Sequence, residues 1–85
     1  MEIEFRKEFR KQYKKLPKKI QEKFEICLQL FLQDQKHPLL NLHTLSGADH
    51  PIETINITAD YRAQFLRTGN ITSFLRIGTH SGLYS

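Results

Sequence analysis

What most constrains this chain is a change of hydrophobic period past its middle. From Phe5 to Phe31 apolar residues recur at helical spacing, and from Ile52 to Thr79 they largely alternate. A period near 3.6 puts apolar groups on one stripe of a helix; a period of two puts them on one face of a strand. Helical runs followed by strand runs imply an α+β domain with an antiparallel sheet, not alternating parallel units.

Phe5, Phe9, Tyr13 and Leu16 share one helical face, with Lys7, Lys11 and Lys14 on the opposite one. Pro17 suits the first turn of a second helix, where its missing N–H costs nothing. Ile20, Phe24, Cys27, Leu28 and Phe31 then form an apolar face, with Ile26 and Leu30 off it. That helix should fade near Gln35, because His37 precedes a proline. Two helices separated by one proline make a hairpin. Before them, Met1 to Phe5 alternates and predicts a short strand. Leu39 to Pro51 reads as irregular, with a Ser46-Gly47 turn. Three strands are predicted at Ile52–Thr58, Tyr61–Thr68 and Ile71–Thr79, the last two flanking Gly69-Asn70, a hairpin signal.

Eighty-five residues hold one core, so the domain is 1–85. With 26% charged residues, three tyrosines and six phenylalanines, the composition is that of a folded chain rather than a disordered one. The stretch from Ile26 to Leu32 is too short to span a bilayer and contains Gln29. No secretory signal opens the sequence, and the single Cys27 can form no internal disulfide; both point to the cytoplasm. The net charge of +4 favours an anionic partner: nucleic acid, an acidic protein or an anionic membrane surface. Composition does not choose among these, and many small basic domains bind nothing anionic.

Chemistry concentrates at the C-terminus, in Arg76-Ile77-Gly78-Thr79-His80-Ser81-Gly82-Leu83-Tyr84. An arginine can clamp a phosphate, a histidine can move a proton near neutral pH, and a tyrosine can stack on a base. The plain alternative is a frayed tail with a chance histidine. A second stretch, Ile55 to Phe65, carries Asp60 and Arg62. Asp60 is placed to orient a histidine or pair with Arg62 or Arg76; a structural Asp–Arg pair at a turn is the ordinary alternative. A third, Leu42-His43-Thr44-Leu45-Ser46-Gly47, holds His43 in a loop, where most histidines are merely solvated. The four histidines show no metal-binding spacing, and no metal or cofactor is expected.

Taken together, the leading IEF strand, the lysine-rich helical hairpin, LHTLSG, INITADYRAQF and FLRIGTHSGLY resemble the RelE/ParE superfamily of bacterial toxins, with a closing GTH…LY similar to its YafQ-like mRNA interferase branch. The resemblance covers nearly the whole chain. It implies a RelE-like fold, with an N-terminal strand and two-helix hairpin packed on a C-terminal antiparallel sheet. It also implies a type II toxin that cleaves translated mRNA on the ribosome and is held inactive by a cognate antitoxin, through which operator DNA can be reached. By motif, His80 matches the principal catalytic histidine, His43 the histidine of the loop before the sheet, and Asp60 the acidic residue before the aromatic. Arg76 matches the arginine four positions before the histidine, Tyr84 the closing aromatic, and Arg62 the strand arginine of RelE-like members. Asn56 stands where the YafQ-like branch has another histidine, and Gly82 where relatives often carry an acidic residue.

In RNA cleavage the 2′-OH attacks the adjacent phosphate and expels the 5′-oxygen. One group takes a proton, another supplies one, and a cation stabilises the phosphorus oxygens. His80 is the expected general acid, His43 or Asp60 the base, Arg62 and Arg76 the cations, and Tyr84 and Tyr61 the base-stacking rings. Lys7, Lys11, Lys14, Lys15, Lys18 and Lys19 would contact ribosomal RNA phosphates, or form only a solvated face. Two other readings stay open: a ParE-like inhibitor of DNA gyrase, and an inert relative that only binds an antitoxin.

Overall fold

The helical hairpin lies against one face of a five-stranded sheet. The computed structural model describes residues 1–45 and 52–84, with Tyr84 described by its backbone alone. The predicted Ser46-Gly47 turn and the Tyr84 ring therefore lie outside the described residues. Along the chain come β1 (Glu2–Phe5), α1 (Lys7–Lys14), α2 (Lys18–Gln33), a 3₁₀ turn (Pro38–Leu40), β2 (His43–Thr44), β3 (Glu53–Asn56), β4 (Tyr61–Thr68), β5 (Ile71–Thr79) and α3 (His80–Tyr84). No helix among them is long and apolar enough to cross a membrane.

The strand order is β1-β5-β4-β3-β2. The expected antiparallel sheet is present in β3, β4 and β5; β2, in a stretch read as irregular, adds a fourth antiparallel strand, and β1 joins as a fifth strand parallel to β5, pairing Glu2 with Ile71 and Phe5 with Phe74. Parallel neighbours need a long connection, and here most of the chain supplies it. Where β1 stops, α1 takes over the edge of β5: Arg6 N donates to Phe74 O at 2.9 Å, and Ile77 N donates to Gln12 Oε1 at 2.8 Å. The register of β4 on β5 slips by one residue between Gln64 and Phe65, so Gln64 faces Arg76 while Phe65 faces Phe74.

Aromatic residues fill the space between helices and sheet. Phe31, Phe65 and Phe74 are fully buried; Phe31 meets Phe65 edge-on at 5.1 Å, and Phe24 meets Phe74 at 5.5 Å with rings at 90°. Each such ring contributes on the order of 1.5–3 kcal/mol by burial. Of the two apolar residues off the main face of α2, Leu30 packs on the core, whereas Ile26 is 62% exposed. Pro17 precedes α2 as its N-cap instead of sitting in the first turn, and the helix ends at Gln33, two residues before the expected Gln35. Burial pushes the Cys27 thiol up from its ordinary pKa, with Lys23 opposing the shift.

Candidate active site

Ile55, Ala63 and Ile77 are cross-strand neighbours buried against the helices. Alternation therefore turns the residues between them to the far face of the sheet. The register arranges that face in rows. His43, Thr54, Gln64 and Arg76 form one row across four strands; Asn56, Arg62 and Gly78 form the next. One step further, His80 N donates to Asp60 O at 2.8 Å, which extends the ladder so that Asp60 opposes His80.

The β4–β5 hairpin thus brings Arg62 and Arg76 to one end of this face, and the backbones of Asp60 and His80 meet just beyond it. His43 lies on the same face but on edge strand β2, with β3 and β4 between it and β5; its Nδ1 is 2.8 Å from Asn41 O. Tyr61 points the other way, half-buried against the core.

The tail folds back over this face. Leu83 is buried, in position to meet a side chain at Gly78 at 3.6 Å, and Arg76 Nη1 donates to Leu83 O at 3.3 Å. Arg62 Nη1 donates to Ala59 O at 2.8 Å and Thr58 O at 3.0 Å, with a longer contact to Tyr61 O at 3.4 Å. Among the described residues, each guanidinium has only Nη1 engaged, so Nε and Nη2 remain for phosphate oxygens. Two buried oxygens of β3, Thr54 Oγ1 and Asn56 Oδ1, lack a hydrogen-bond partner among the described residues. Among the same residues, no three His, Cys, Asp or Glu side chains gather closely enough to hold a metal ion.

One residue that sequence reasoning passed over is built into this end of the sheet. Thr58 Oγ1 accepts from Tyr61 N at 3.1 Å and from Asp60 N at 3.3 Å. The signal was available: a threonine two residues before an aspartate at a strand-to-strand turn is the pattern of a hydroxyl-capped turn.

No family model and no curated relative matches the sequence. Solved structures do match it. The class they define is the RelE-like fold, which the described residues of this chain share. YafQ from E. coli strain BL21(DE3) superposes with a TM-score of 0.82 at 19% identity, over 99% of this chain and 98% of YafQ. The E. coli DinJ–YafQ toxin–antitoxin complex gives a TM-score of 0.82 at 20% identity, over 99% and 97%. The RelB–RelE antitoxin–toxin complex from Methanococcus jannaschii gives 0.76 at 19% identity, over 96% and 95%.

Proposed function

We propose that this chain is the toxin of a type II toxin–antitoxin pair, acting in the cytoplasm, and that it cuts translated mRNA on the ribosome. The observation that carries the reading is the placement of Arg62 and Arg76 on one sheet face, with Asp60 and His80 joined by a backbone bond at its end, on a fold shared with YafQ and RelE. In the proposed reaction His80 protonates the departing 5′-oxygen, and Asp60 takes the proton of the attacking 2′-OH; His43, three strands from β5, is too far away to share that task. Arg76 and Arg62 neutralise charge on the phosphate through Nε and Nη2. Tyr84 stacks on a neighbouring base; Tyr61 supports the site from the core side. Lys7, Lys11, Lys14, Lys15, Lys18 and Lys19 hold ribosomal RNA. The solved complexes of YafQ and RelE with their antitoxins support an antitoxin partner for this chain; in the proposed reading that partner silences the site and links it to operator DNA.

The test is a translation reaction programmed with mRNA, with cuts read by primer extension. Wild type should cut within translated codons. His80→Ala should cut on the order of a hundredfold to ten-thousandfold more slowly while remaining folded. Wild-type cleavage speed in a folded His80→Ala protein would remove His80 from the mechanism. Inhibition of supercoiling without mRNA cuts would place the chain with gyrase inhibitors instead.

A further inference from the structure

We infer that the turn between β3 and β4 is a built seat for His80 and that Thr58 is the positioning residue at its centre. The turn is braced from within by side chains. Ile57 N and Thr58 N both donate to Tyr61 O, at 2.9 and 3.3 Å, closing the hairpin. Thr58 Oγ1 collects the N–H groups of Asp60 and Tyr61, and Arg62 Nη1 collects the carbonyls of Thr58 and Ala59. Two backbone donors and two acceptors that would otherwise turn to water are thereby held by two side chains.

What this bracing leaves outward is the carbonyl of Asp60, and His80 N is its 2.8 Å donor. His80 is also the residue at which β5 ends and α3 begins. Its backbone direction is therefore set by a bond to a turn whose shape depends on Thr58. A five-residue helix has little intrinsic stability, so the start of α3 depends on such tertiary contacts. Rotation of the Asp60 peptide would move the base of the His80 side chain, and proton transfer tolerates displacements of about an ångström poorly.

The role of Thr58 in catalysis rests on the RNA-cleavage reading; the seat itself does not, and the test separates the two. Thr58→Val keeps the shape and removes the hydroxyl, Thr58→Ala repeats the loss without the branched methyls, and Thr58→Ser restores the oxygen. In the full chain, amide hydrogen exchange at His80 should quicken roughly tenfold in the Val and Ala variants and return toward wild type in Ser. The Ala63 and Ile77 amides of the β4–β5 ladder should stay protected, which shows that the fold is intact. In the cleavage assay the same two variants should lose turnover at least tenfold with little change in KM, and the pH profile should move, with rescue by Ser. Unchanged His80 exchange in both variants overturns the seat. Faster exchange with unaltered turnover and pH profile overturns the positioning role. Should the wild-type chain cut no RNA, the cleavage reading fails, and the exchange measurements alone decide whether the seat exists.

Discussion

At the scale of single residues, the same arginine chemistry serves two ends of the sheet differently. Arg67 meets Glu53 through a two-pronged ion pair, Nε to Oε2 at 2.7 Å and Nη2 to Oε1 at 2.9 Å, while Nη1 donates to Gln35 Oε1. Its guanidinium lies over the rings of Phe31 and Phe65, at 5.7 and 5.4 Å. It therefore ties the segment just after α2 to β3 and β4 and covers the core. Arg67→Ala should cost about 1–3 kcal/mol, since it strands a half-buried carboxylate. Arg67→Lys should recover only part, because an ammonium cannot form the planar fork. Urea unfolding measures both; a loss below about 0.5 kcal/mol for Arg67→Ala would reduce the cluster to an ordinary surface pair. Arg62 and Arg76, by contrast, bond only to main-chain carbonyls, which leaves their charge uncompensated among the described residues. The residue types at the site were readable in the sequence. Their grouping was not, because the slip at Gln64/Phe65 decides which β5 residue faces each β4 residue, and composition does not encode a one-residue slip.

At the scale of elements, local pattern succeeds where the hairpin is local. β4 and β5 fall on their expected bounds because largely alternating, β-forming runs flank a two-residue loop. Within that loop Gly69 alone takes a positive φ, +60°, while Asn70 does not, which is the type II′ arrangement with glycine first. Gly69→Ala should thus cost about 1–2 kcal/mol in urea unfolding, and Asn70→Ala much less. Equal costs at the two positions would mean that both carry the left-handed conformation, as in a type I′ turn. Elements defined by distant partners were not readable in the same way. β1 was legible as a strand from its alternation, but its partner was not: it pairs with β5, near the other end of the chain. β2 is two residues long and exists through Thr54 and Glu53 opposite it. The five residues of α3 carry no usable helical period; they are fixed by Leu83, buried in the fold, and by the Arg76 bond to its carbonyl.

At the scale of the molecule, charge and chemistry occupy opposite sides. Lys7, Lys11, Lys14, Lys15, Lys18 and Lys19 are all exposed and cluster along the helical hairpin, whereas Arg62 and Arg76 belong to the far face of the sheet and Asp60 and His80 meet at its end. Lys18 and Lys19 open α2, whose first turn holds no acidic residue. Positive charge at a helix N-terminus opposes the macrodipole, at a cost of about 0.3–1 kcal/mol each. Of the exposed cations nearby, Arg6 is neutralised by Glu4 at 2.8 Å, while none of the six lysines forms an ion pair within the described residues. Such a surface suits a phosphate backbone, where binding releases counterions and fades with salt. Binding and cleavage should then separate. Lys11→Glu, Lys14→Glu and Lys18→Glu together should weaken ribosome association and flatten its salt dependence, by somewhat less than about one unit of log–log slope for each phosphate that is no longer neutralised. Cleavage of ribosome-bound mRNA at saturating protein should stay near wild type, because the far face is untouched. The measurement is a ribosome-pelleting titration over a series of salt concentrations. An affinity and slope equal to wild type would make the lysines a solvated face and leave docking to another surface.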